Sequence, residues 1–289
     1  MTSPPEKAAD QVAKRVADLP SIRAFMADAD LQAKKALGQN FLFDLTLTGR
    51  IAAAARNLSG TVIEIGPGPG GLTRALLMAG AERVIAVEKD RRAIAFLGHL
   101  QQAAGPALEL VEADALGFPA WQAGTAPRRI IANLPYNIAT PLLLGWLRHA
   151  TVFEEMIIMF QREVAERITA APNSRAYGRL AVLTSWLAEA EMLFDIPPEA
   201  FVPPPKITST LVRITPRPAP LFDCAQADLE WVTQTAFGQR RKMLRASFKK
   251  YGGADMLASL GIDPQARPQE LTVESFCKLA RARAAGQLG

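Results

Sequence analysis

Histidine and cysteine are nearly absent from this chain of 289 residues. With only His99 and His149 available, a histidine-rich metal site is excluded, and so is a mechanism needing several imidazole bases. Two cysteines, Cys224 and Cys277, lie far apart and form no metal-ligand pattern. They make no disulfide framework and point to a reducing compartment. No apolar run approaches the roughly 20 residues of a membrane span. Met1 to Leu19 mixes Lys, Arg, Glu and Asp without a hydrophobic stretch, unlike a signal peptide, so a cytoplasmic location is expected. Internal repeats and low-complexity tracts are also missing. What remains is 49% hydrophobic and 21% charged, enough for one large or two modest cores. The net charge of +5 permits a polyanionic partner without requiring one.

The middle of the chain alternates short apolar runs with helical patterns. Strands are predicted at Thr61–Ile65, Arg83–Glu88, Ala107–Glu112, Arg128–Asn133, Glu154–Phe160, Glu191–Ile196 and Ile207–Thr215. Helical patterns between the first five predict an α/β fold with a mostly parallel sheet covered on both faces, and the last two strands an antiparallel edge pair. Asp44 is a fair N-cap for a helix to about Leu58, and Pro20 to Asp30 reads as a short helix. Pro216-Arg217-Pro218-Ala219-Pro220 reads as a linker. Three regions follow: a flexible segment over 1–19, an α/β domain over 20–216, and a small all-α domain over 217–289. Its clearest helices are predicted over Asp228–Phe237, Arg240–Tyr251 and Val273–Ala284.

Two stretches carry chemistry. Asn133-Leu134-Pro135-Tyr136 follows a buried strand, at the carboxyl end where open α/β sheets bind ligands. Pro135 fixes its own φ and biases Leu134 towards an extended conformation, which gives the Leu134 carbonyl a defined direction. That carbonyl and the Asn133 side-chain oxygen can accept both N–H protons of an adenine amino group, and Tyr136 offers a stacking face. The second stretch, Glu64-Ile65-Gly66-Pro67-Gly68-Pro69-Gly70-Gly71, is a strand end and a glycine-rich turn. Gly66-x-Gly68-x-x-Gly71 satisfies a dinucleotide fingerprint, but Glu64 would repel a pyrophosphate and suits the ammonium and sulfonium of S-adenosylmethionine. Glu88 ends the next strand and can accept ribose hydroxyls from either kind of cofactor. Asp114, after the third strand, can take a hydrogen bond from an adenine amino group.

With these motifs in view the chain resembles a family. Leu37-Gly38-Gln39-Asn40-Phe41-Leu42, Glu64-Ile65-Gly66-Pro67-Gly68, Val87-Glu88, Glu112-Ala113-Asp114 and Asn133-Leu134-Pro135-Tyr136 follow in the order found in KsgA-type ribosomal RNA adenine dimethyltransferases. Phe201-Val202-Pro203-Pro204-Pro205-Lys206-Ile207-Thr208-Ser209 and Phe237-Gly238-Gln239-Arg240-Arg241-Lys242 complete a likeness running from Leu19 to about Ala280. The resemblance implies a Rossmann-like methyltransferase sheet. Asn40 and Leu42 would close over S-adenosylmethionine, with Gly66, Glu88, Asp114 and Asn133 lining its pocket and Phe201 stacking on the target base opposite Tyr136. It further implies two adjacent adenosines near the 3′ end of small-subunit ribosomal RNA, a pre-30S particle as partner, and a monomeric enzyme. Two features depart from the family: Gly238 stands where asparagine is common, and the leading segment is long. A large-subunit enzyme of the antibiotic-resistance type, a non-catalytic assembly factor and a dehydrogenase are the rivals.

The basic residues Arg240, Arg241, Lys242, Arg245, Lys249 and Lys250 cluster after Gly238. On one helix, positions 241, 245 and 249 would share a face able to track phosphates. Lys34, Lys35, Arg162 and Lys206 are expected to extend that footprint around the catalytic mouth.

Overall fold

The computed structural model describes residues 4–24 and 39–288. The helix expected over 20–30 falls largely outside them, as do Lys34 and Lys35. Two compact units form: Met1–Arg162 with Met192–Pro216, and Glu163–Glu191 with Arg217–Gly289.

The strands are β1 (Phe41–Leu42), β2 (Thr61–Ile65), β3 (Arg83–Glu88), β4 (Leu108–Glu112), β5 (Arg128–Ala132), β6 (Phe153–Gln161), β7 (Ala188–Ile196), β8 (Phe201–Val202) and β9 (Ser209–Pro216), all in the first unit except the opening residues of β7 up to Glu191. The main sheet runs β4-β3-β2-β5-β6-β9-β7. Its first five strands are parallel, and β9 is antiparallel to β6. All five residues of β2 and the last four of β5 are buried, as expected of central parallel strands covered on both faces. The chain steps outward through β2, β3 and β4, then returns to place β5 on the other side of β2. That reversal opens a crevice beyond the carboxyl ends of β2 and β5.

The helices number α1 (Pro4–Ala17), α2 (Leu45–Ala52), α3 (Gly71–Met78), α4 (Arg91–Ala104), α5 (Tyr136–Leu147), α6 (Arg162–Ile168), α7 (Arg179–Leu187), α8 (Gln226–Phe237), α9 (Leu244–Ser247), α10 (Gly253–Ser259) and α11 (Val273–Ala284). The Asp44 carboxylate caps α2 by accepting from Thr46 N–H (2.8 Å). This helix stops at Ala52, short of the expected Leu58, because tertiary partners take the next turn's backbone. The Arg56 N–H donates to buried Glu155 (3.0 Å) and the Ala54 carbonyl accepts from Arg213 (2.5 Å).

Three expectations are corrected. The leading segment, expected to be flexible, contains α1. Val12 and Val16, one helical turn apart, join the core, and the Arg15 Nε–H donates to the Ala103 carbonyl (2.8 Å). Arg74 ties down the end of α1 through the carbonyls of Ala17 (3.0 Å), Leu19 (2.6 Å) and Pro20 (2.6 Å). The units do not divide at residue 216 alone, since Glu163–Glu191 belongs with the C-terminal helices. Aromatic packing explains this: Tyr177 meets Phe237 edge-on, and the Trp186 indole N–H donates to the Phe222 carbonyl (2.7 Å). Finally, the basic helix expected over 240–251 is broken into α9 and a 3-10 turn at Lys249–Tyr251. Its backbone has other partners, with Leu244 N–H bonded to Ala266 O (2.8 Å) and Arg245 N–H to Pro264 O (3.1 Å).

Candidate active site

The glycine turn, β1 and the Asn133 segment line one pocket at the carboxyl ends of β2, β3 and β5. Two of the glycines are there because β1 comes close. A Cβ on Gly71 would lie 2.1 Å from the Leu42 carbonyl oxygen, and one on Gly68 would lie 2.9 Å from the Phe41 ring. Gly68 also has φ +53°, where a Cβ is disfavoured. The turn thus lets Asn40, Phe41 and Leu42 line the pocket. Gly66 sits beside the acceptor motif, an ideal Cβ there being 3.9 Å from Pro135 Cδ.

Three acids surround this turn in different states. Glu64 is 1% exposed, with Thr73 its polar neighbour on the glycine-turn side. Burial pushes its pKa up to about 8; Thr73 pulls the value down, while the charge of Glu88 adds to the rise. Glu88 is oriented by its own neighbourhood: Oε1 accepts from Lys89 N–H and Asp90 N–H (both 2.9 Å), and Oε2 from Gly68 N–H (3.2 Å). Carboxylate oxygens keep further lone pairs after such bonds, so they can still accept from hydroxyls in the pocket. Asp114 is half exposed at the mouth, its Oδ1 accepting from Leu116 N–H (3.0 Å) and its Oδ2 from Lys89 Nζ (3.1 Å). The Leu116 N–H, then the Lys89 ammonium, hold its pKa below the usual value. The ammonium and sulfonium, the ribose and the adenine of S-adenosylmethionine therefore each find a suitable group: Glu64, Glu88 and Asp114. No group of metal-ligating side chains occurs among the described residues.

The Asn133-Leu134-Pro135-Tyr136 segment sits at the same pocket. The Asn133 Nδ2 donates to the Asn40 carbonyl (3.0 Å), which turns the amide so that Oδ1 faces the other way. The first bond of α5 runs from Ile138 N–H to Pro135 O (3.1 Å), which leaves the Leu134 carbonyl outside the helix ladder. Both residues line the pocket, with Pro135 beside them. Tyr136 does not line it and stands next to it, its hydroxyl paired with Ser209 Oγ at 2.6 Å. Burial raises the Tyr136 pKa against the opposing bond to Ser209. Phe201 differs from expectation. It is 1% exposed and packed in the core with Leu42 and Leu72, so in this structure it offers no face to a base. Pairing of β8 with β1 explains it, since alternation along the strand turns Phe201 inward and Val202 outward.

The sequence reading missed Thr73, Lys89, Leu116 and Ser209. Lys89 follows Glu88 directly and could have been found as a basic residue within reach of Asp114. Thr73 and Ser209 carry no local signal. Among the basic candidates, Arg240, Arg241, Lys242, Arg245, Lys249 and Lys250 are exposed on the second unit, although not on one helix face. Arg240 donates to the Arg175 carbonyl. Lys206 is exposed on the first unit, whereas Arg162 pairs with Asp195.

Residues 30–284 match the profile of the ribosomal RNA adenine dimethylases. The chain is 57% identical to ribosomal RNA small subunit methyltransferase A of Rhodospirillum rubrum, covering 91% of this chain and 92% of that one. It is 56% identical to the protein of the same name from Paramagnetospirillum magneticum, over 92% and 96% of the two chains. Among solved structures, a dimethyladenosine transferase from Plasmodium falciparum superposes with a TM-score of 0.74 at 26% identity, covering 85% of this chain and 98% of that one. The 23S rRNA methyltransferase ErmE follows with a TM-score of 0.62 at 28% identity, over 86% and 99%. A methyltransferase sheet, a buried acid beside the glycine turn and likenesses that span nearly the whole chain lead to one assignment: this protein belongs to the ribosomal RNA adenine dimethylase family.

Proposed function

We propose that the chain dimethylates N6 of two adjacent adenosines near the 3′ end of small-subunit ribosomal RNA, acting as a cytoplasmic monomer on an immature pre-30S particle. The enzyme is an S-adenosylmethionine-dependent ribosomal RNA adenine dimethyltransferase. One observation supports the chemistry: Asn133 and Leu134 line the same pocket as Gly66 and Glu64, and the Asn133 Nδ2 is already committed to the Asn40 carbonyl, which leaves Oδ1 as that side chain's acceptor.

Adenine N6 is a poor nucleophile because its lone pair is delocalised into the ring. Accepting its two N–H bonds at Asn133 Oδ1 and Leu134 O favours a more tetrahedral nitrogen and stabilises the positive charge it develops. When bound, S-adenosylmethionine supplies the electrophilic methyl group on its sulfonium. Glu64, Glu88 and Asp114 hold and orient that donor, and alignment of this kind reaches effective molarities of roughly 10⁵ M or more. The methylated nitrogen is acidic and sheds its proton to water, so no histidine is required. A monomethylated amine keeps one N–H for one of the two acceptors, which permits a second transfer to the same nitrogen. Tyr136, next to the pocket, is the aromatic side chain we assign to stacking on a base drawn out of its helix. The exposed cations of the second unit and Lys206 supply phosphate contacts.

Small and large subunits lacking these methyl groups, incubated with the purified protein and labelled donor, should yield label at two neighbouring adenosines of small-subunit RNA, mapped by primer extension. Labelling confined to large-subunit RNA would instead support the reading favoured by the likeness to ErmE.

A further inference from the structure

The loop from Phe201 to Ser209 is tied to the site at both ends. At its start, Phe201 and Val202 pair with Leu42 and Phe41, the two strand residues that line the pocket. At its end, Ser209 Oγ is bonded to the Tyr136 hydroxyl (2.6 Å), and the Thr208 carbonyl accepts from the Arg162 N–H (3.1 Å). Between these anchors the loop turns apolar groups outward. Val202 and Ile207 are each 43% exposed, Pro203 and Pro204 are exposed beside them, and Lys206 stands adjacent to Ile207. Three consecutive prolines fix φ and remove the backbone N–H groups, so this surface is stiff and cannot extend the β1–β8 pairing. Single exposed aliphatic residues are ordinary; two on a rigid loop anchored to a nucleotide site are not.

Resting on the function proposed above, we infer that Val202 and Ile207 form an apolar wedge that packs against the bases flanking the target adenosine. A base taken out of its helix leaves neighbours unstacked, and apolar side chains are the usual filling for such a gap. Lys206, one residue from Ile207, meets the adjacent phosphate. The wedge lowers the cost of extrusion and plays no part in holding the methyl donor.

The test compares wild type with Val202→Ser/Ile207→Ser and Val202→Leu/Ile207→Leu, after checking that all three bind S-adenosylmethionine equally. On unmethylated small subunits, kcat/KM of the serine pair should fall about tenfold, while the leucine pair stays near wild type. A stem-loop RNA with 2-aminopurine next to an adenosine reports unstacking directly. At equal occupancy, measured by anisotropy, the serine pair should lose at least half of the wild-type fluorescence rise. Wild-type values for the serine pair on either readout would overturn the wedge. If wild type unstacks the RNA but transfers no methyl to small subunits, the proposed function fails and the wedge survives.

Discussion

Glu64 links the pocket's electrostatics to cofactor affinity. Burial pushes its pKa up to about 8, so the neutral form of Glu64 predominates in the unliganded protein at pH 7. A sulfonium and an ammonium favour the ionised form, so binding must expel that proton. The apparent Kd for S-adenosylmethionine should therefore fall tenfold per pH unit below about 8 and level off above it, roughly 25-fold between pH 6.5 and 8.5. Glu64→Gln, which keeps the shape and removes the charge, should bind roughly 10- to 100-fold more weakly at pH 8.5, as expected for loss of a charged hydrogen bond. At pH 6.5 the two proteins should nearly converge. Titration calorimetry in buffers of different ionisation enthalpy gives both the Kd and the protons released. The sign for stability is opposite to that of a salt-bridged acid. Because the folded pKa lies above the unfolded value of 4.5, the unliganded protein loses stability as pH rises from about 4.5 to 8, by roughly 3 kcal/mol at pH 7. The Gln variant should lack that slope. A wild-type Kd that is flat from pH 6.5 to 8.5, or a Gln variant with the same slope, would refute the reasoning.

Asn133→Ala removes one of the two acceptors and should lower kcat at least a hundredfold while RNA affinity, read by filter binding, stays within a factor of a few. Gly71→Ala would force its Cβ onto the Leu42 carbonyl, so a loss of about 1–3 kcal/mol and a weakened cofactor site should appear in thermal melts with and without S-adenosylmethionine. Neutralising Arg241 and Arg245 together should weaken RNA binding and reduce the slope of log Kd against log salt by about one to two; an unchanged slope would remove both from the footprint. Val16→Ala, in the helix that was expected to be mobile, should destabilise the protein by roughly 1 kcal/mol in urea, whereas a mobile segment would register nothing.

The sequence alone settled what is written in short-range pattern. Runs of β-branched residues located the strands, the glycine turn marked the cofactor end of the sheet, and Pro135 fixed the direction of the Leu134 carbonyl. These are backbone and periodicity effects, complete within a few residues. Other features depended on partners distant in the chain, and only the tertiary structure decided them. Phe201 is buried because β8 pairs with β1 in a register that turns Val202 outward. The basic run after Gly238 failed to form one helix because Ala266 and Pro264 take its amide protons. Residues 1–19 contain an ordered helix because Val12 and Val16 reach the core and Arg74 binds the carbonyls that follow. Glu64 was legible as a carboxylate beside the glycine turn, but its raised pKa was not, because burial and the closeness of Thr73 and Glu88 set it. Local propensity determines which groups are presented, and non-local packing determines which of them remain in contact with solvent or ligand.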